Sequence, residues 1–150
     1  MEDMKNNKAF TLIEMLVVVA VIGLLSSVLL TALGPAKDRA KDSRIIQEIN
    51  QVRSLAETMY NGTYATLETL PSPSIQNPNL KSLADDITAQ GGELNIIKGP
   101  APSTTYVAYS RLNITAGNPS VPQVQFYCTD SGGRSGFTIT EPSNGVKCPL

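Results

Sequence analysis

The hydropathy pattern along the chain changes character several times. Residues 1–9 are mostly polar. Residues 10–33 are apolar or small, apart from Glu14 and a few hydroxyl side chains. At about 1.5 Å per residue this run makes a helix of roughly 36 Å, enough to cross a hydrocarbon core of about 30 Å. Gly34-Pro35 then interrupts the pattern. The proline predicts a kink or local break there, because it removes a donor and crowds the preceding turn. Over residues 36–60 apolar side chains return at Ile45, Ile49, Val52, Ala56 and Met59, with charges mainly elsewhere around the wheel. A helix with one apolar stripe needs a sheet to cover it. Asn61-Gly62 predicts its end.

Residues 63–105 read as a long connection rich in proline and glycine. Within it, residues 80–90 predict a short helix, with Leu80, Leu83, Ala84 and Ile87 on one face, and residues 93–98 a short strand. Three further strands follow, at residues 106–114, 124–128 and 136–140. In the first, Tyr106, Ala108, Ser110, Leu112 and Ile114 alternate with Val107, Tyr109, Arg111 and Asn113. Residues 129–135, rich in Gly and Ser, predict a hairpin loop, and Pro119 and Pro122 fit a turn before the middle strand. The expected fold is α+β: a long N-terminal helix packed on a small C-terminal antiparallel sheet.

Composition narrows the function classes. The 150 residues carry 12 basic and 13 acidic side chains, a formal net charge of −1, which argues against general nucleic-acid binding. Histidine is absent, removing the commonest general base and metal ligand. No cysteine cluster, phosphate-cradling glycine loop or serine beside a base stands out, so neither an enzyme nor a cofactor is expected. Asp85-Asp86 and Asp130 with Gly132-Gly133 are the acids that come nearest to a cation-site pattern. Adjacent acids on a helix point apart, and Asp130 lacks the string of acids such a loop needs. Asn61-Gly62-Thr63 and Asn113-Ile114-Thr115 match the glycosylation triplet, a pattern common by chance. The charges at residues 37–44 suit lipid headgroups, neighbouring subunits or a solvated helix face.

The most informative residue is Glu14. A carboxylate inside a membrane-length apolar run is costly and is by default functional, with a partner to be named. The run Lys8-Ala9-Phe10-Thr11-Leu12-Ile13-Glu14, followed at once by the apolar helix, resembles the class III signal of type IV pilins and type II secretion pseudopilins. The resemblance implies a cytoplasmic leader that a prepilin peptidase cuts between Ala9 and Phe10. It implies N-methylation of Phe10, and pairing of Glu14 with the amino terminus of a neighbouring subunit. A buried cation beside that carboxylate relieves both charges in low dielectric. The residue before the cut is Ala9 where the family usually has Gly. The family's common mid-helix proline would fall at Thr31, and here it is Pro35.

The resemblance sets the layout: residues 1–9 leader, 10–33 transmembrane and filament-core helix, 34–60 amphipathic continuation, 61–105 variable connecting region, 106–150 sheet with a C-terminal disulfide loop. Counting Lys37, Arg39, Lys41 and Arg44 against the leader's lysines favours the opposite topology; the N-terminus is placed inside on the strength of the motif. Ala32-Leu33-Gly34 mimics an ordinary signal-peptidase site, but the apolar run is too long and Glu14 sits at its start. An exported chain with Cys128 and Cys148 as its two cysteines most simply joins them, the alternative being two thiols in a reducing compartment. The implied partners are other pilin subunits in a homo- or hetero-polymer, a prepilin peptidase, an assembly ATPase and an inner-membrane platform protein. The implied location is the inner membrane, then a pilus or periplasmic filament. The alternative is a single-pass anchored surface domain that never polymerises.

Overall fold

The computed structural model describes residues 10–115, 123–143 and 147–149, and the backbone alone at 31 and 32. The leader, with Ala9, and the turn at Pro119 and Pro122 lie outside the described residues. The chain divides into two units, Met1–Ala36 and Lys37–Leu150, and each is taken by itself.

The described part of the first unit is helical from Leu12 onward. It holds the start of α1, which runs Leu12–Thr58. The stretch Leu12–Leu30 has a mean hydropathy of 2.6, and none of it is buried. Side chains such as Leu16, Val19, Leu24 and Leu29 are all more than half exposed. The break expected at Pro35 does not occur, since α1 continues through it. A proline deletes one hydrogen bond, and the cooperative ladders on either side carry the helix across.

The second unit is a helix-on-sheet domain. Within α1, Ile45, Ile49, Val52 and Ala56 are fully buried. α2, Pro78–Ala89, starts where Asn77 accepts from the N–H groups of Asn79 and Leu80, with Pro78 at the first turn. It stops in a two-bond C-terminal lock. The Gly92 N–H donates to the Ile87 carbonyl and the Gly91 N–H to the Thr88 carbonyl, with Gly91 at φ +90°. Four antiparallel strands follow in a meander: β1 Asn95–Lys98, β2 Tyr106–Arg111, β3 Phe126–Asp130 and β4 Ser135–Thr138. Asn95 lies opposite Tyr109, Tyr109 opposite Cys128, and Cys128 opposite Gly136.

Both faces of the sheet are used. Tyr106, Ala108, Leu112, Ile96 and Tyr127 join the α1 stripe, together with Leu80 and Ile87 of α2, in the main core. On the other face Val107, Tyr109, Cys128 and Cys148 form a smaller cluster beneath the C-terminal segment. The alternation read along residues 106–114 sorts these faces, but β2 ends at Arg111 rather than Ile114. The N–H groups of Asn113 and Ile114 leave the ladder and donate to the Asp42 carboxylate of α1, at 2.7 and 2.9 Å. β3 begins and ends two residues later than expected. β4 starts one residue earlier and stops at Thr138, where the chain curls as Thr140 N–H donates to the Thr138 hydroxyl. The connecting region read as variable therefore contains α2 and the first strand of the sheet.

Candidate processing and assembly site

Phe10 is the first described residue and is 77 % exposed. Glu14 lies one helical turn further on. The turn between them is closed locally. The Thr11 N–H and hydroxyl both donate to Glu14 Oε2 at 2.8 Å, and the Glu14 N–H donates back to the Thr11 hydroxyl at 3.3 Å. This is a reciprocal capping box, T-x-x-E, that satisfies two otherwise orphaned donors at the head of α1. The carboxylate thus sits at the positive end of the helix dipole, exposed. Sequence reasoning missed Thr11, although the spacing from Thr11 to Glu14 is itself a start signal for a helix. Glu14 drew attention as an anomaly in an apolar run, which hid its local role.

The cysteines meet at the other end of the chain. Cys128 of β3 and Cys148 form a disulfide, with Cα atoms 6.0 Å apart. Asp130, fully buried, holds this end together. Its Oδ1 accepts from the N–H groups of Gly132 and Arg134 at 2.9 and 3.0 Å, and its Oδ2 accepts from the Cys148 N–H at 3.0 Å. Its carboxylate is thus engaged by three backbone donors and organises the hairpin and the C-terminal segment.

Three acidic residues that the sequence did not single out tie α1 to the rest of the domain. Asp42 accepts from Asn113 and Ile114 after β2, and the Asn113 side-chain amide also donates to the Gln90 carbonyl at the end of α2. Glu57 accepts from the Tyr64 hydroxyl at 3.0 Å and from the Tyr106 hydroxyl at 3.5 Å. Burial, with the Glu57 carboxylate beside it, pushes the Tyr64 phenol up to about 12, and burial raises Tyr106 as well. Glu48 is buried next to Asp86 and 4.0 Å from Arg44. Burial first, and the Asp86 carboxylate second, raise its pKa. Asp85 and Asp86 turn to different partners: Asp85 to Lys81 at 2.8 Å and Asp86 to Arg44 at 3.1 Å.

A profile described as the prokaryotic N-terminal methylation motif matches residues 4–30, so the head of the chain is of prepilin type. The chain is 26 % identical to the fimbrial protein EcpB of Eikenella corrodens, over 97 % of this chain and 93 % of that protein. It is 39 % identical to the type IV wide pilus major component PilA4 of Thermus thermophilus, over 42 % of this chain and 50 % of that protein. No solved structure matches. Motif and relatives support a pilus subunit, and the long apolar helix followed by a helix-on-sheet domain is consistent with it.

Proposed function

We propose that the protein is a structural subunit of a type IV pilus-like filament, and not an enzyme. The observation that carries this is the apolar stretch Leu12–Leu30, wholly exposed and headed by a methylation-type motif with Glu14 in its first turn. Such a helix has two environments that bury it, lipid and a bundle of its own kind. The precursor occupies the first and the filament the second.

In this reading a prepilin peptidase cuts between Ala9 and Phe10, and Phe10 is N-methylated. The new amino group is a cation at the head of the helix. Glu14 of a neighbouring subunit pairs with it, and in a low dielectric the pair relieves two otherwise costly charges. To do so Glu14 gives up part of its bonding to Thr11, so the capping box keeps the carboxylate oriented until a neighbour arrives. An assembly ATPase and an inner-membrane platform protein drive transfer from membrane to filament. The globular unit then faces outward, in a pilus or a periplasmic fibre.

Intact-mass spectrometry on protein from the native membrane tests the processing. The expected chain starts at Phe10 and is heavier by one methyl group. A chain that retains Met1 contradicts it and favours a non-polymerising anchored domain. Glu14→Ala is expected to insert in the membrane normally and to lose assembly, read as filament yield by electron microscopy.

A further inference from the structure

Three cations, Lys37, Arg39 and Lys41, follow the apolar stretch in sequence. Among the described residues Lys37, Arg39 and Lys41 make no ion pair within 4.0 Å, the pairs being Arg44 with Glu48 and Asp86, and Lys81 with Asp85. The nearby Asp42 is taken up by the backbone of Asn113 and Ile114. Asp38 and Asp42 offset two of the four cations at residues 37–44, and the stretch keeps a local excess of positive charge.

Their placement points to a particular kind of partner. At about 100° per residue, Lys41 lies roughly 40° from Lys37, while Arg39 lies about 160° from Lys41. Lys37 and Lys41 therefore share one side of the helix and Arg39 stands on the opposite side. In the sequence Lys37 follows Leu33, the last residue of the apolar run, by four positions and Lys41 by eight. The headgroup layer on each side of a bilayer is about 5–8 Å deep. Side chains on a helix lean toward its N-terminus, and long basic side chains extend toward an interface. Anionic headgroup phosphates attract basic side chains that flank a membrane span, whichever side of the helix they stand on.

We propose that Lys37, Arg39 and Lys41 form a cationic collar that binds the phosphate groups of anionic phospholipids where the helix leaves the bilayer. The collar rests on the reading of Leu12–Leu30 as a membrane anchor. It holds the unassembled subunit at a fixed depth and must be released when the subunit passes into a filament.

The test uses the full chain reconstituted into phosphatidylcholine vesicles containing about a quarter phosphatidylglycerol. Lipid retained per protein after mild detergent release is counted by native mass spectrometry. Wild type is expected to enrich phosphatidylglycerol. Lys37→Gln/Arg39→Gln/Lys41→Gln is expected to lose that enrichment by about tenfold or more, as is wild type in about 0.5 M salt. Lys37→Arg/Lys41→Arg is expected to keep it. Equal enrichment in wild type and the glutamine variant, or no preference in wild type, overturns the collar. So does a glutamine variant that keeps the lipid but no longer cross-links to neighbouring copies in cells, which assigns the cations to subunit contacts. Wild type that washes off pure phosphatidylcholine vesicles at alkaline pH overturns the anchor itself, and the collar with it. Firm insertion without phosphatidylglycerol enrichment overturns the collar alone.

Discussion

Glu48 faces inward from α1, and its two charged neighbours, Arg44 and Asp86, pull in opposite directions. Burial and the Asp86 carboxylate outweigh Arg44 and raise its pKa above the ordinary value of 4.5. The folded chain therefore binds the proton more tightly than the unfolded chain does. The stability from this group is full below the unfolded value and is lost as pH rises through the folded one. Glu48→Gln mimics the protonated form. Its melting temperature is expected to match wild type near pH 4 and to exceed it near neutral pH, with the gap opening between. Circular-dichroism melts of the full chain in detergent across that range check it, and a gap that closes with rising pH contradicts it. Nothing in the sequence marked Glu48 or Asp42, because their partners lie 38 and 71 or more residues away and no periodicity relates them. Ile45, Ile49, Val52 and Ala56 were legible because a helix repeats its own face locally.

At the scale of elements, the stop of α2 is the joint on which helix and sheet depend. Gly91 adopts φ +90°, where a side chain is strained, and a Cβ built there lies 2.8 Å from Asn113 Oδ1. Asn113 is the residue that connects Asp42 to Gln90. Gly91→Ala is therefore expected to destabilise the domain by more than the about 1–2 kcal/mol that a left-handed alanine costs alone. Chemical denaturation checks this, with Gly62→Ala as a control. Gly62 has φ +98° but open space around it, so it reports the backbone term by itself. Equal losses in the two variants contradict a role for the Asn113 contact. The helix and strand types were readable from pattern, whereas their ends were set by long-range competition for backbone donors. β2 stops where Asp42 takes its N–H groups, and α1 passes Pro35 because its ladders outweigh one missing bond.

For the molecule as a whole, the C-terminal disulfide bears on how firmly the helix-on-sheet domain stays folded. The bridge closes a loop of 20 residues by sequence separation. Loop-closure entropy assigns such a bridge about 3 kcal/mol, by constraining the unfolded chain. Two other contacts persist without it. The Cys148 N–H still donates to buried Asp130, and Val107 and Tyr109 still form the floor of the outer cluster. Cys128→Ser/Cys148→Ser is therefore expected to fold, with the four strands in place, but to melt about 10–20 °C lower. Its α1 segment, and thus membrane insertion, is expected to be unchanged, because the disulfide and the apolar stretch belong to separate units. Thermal melts together with vesicle flotation read the two units independently. A variant that inserts but forms fewer or more fragile filaments places the disulfide's role in the C-terminal domain. A variant that fails to insert contradicts the independence of the two units.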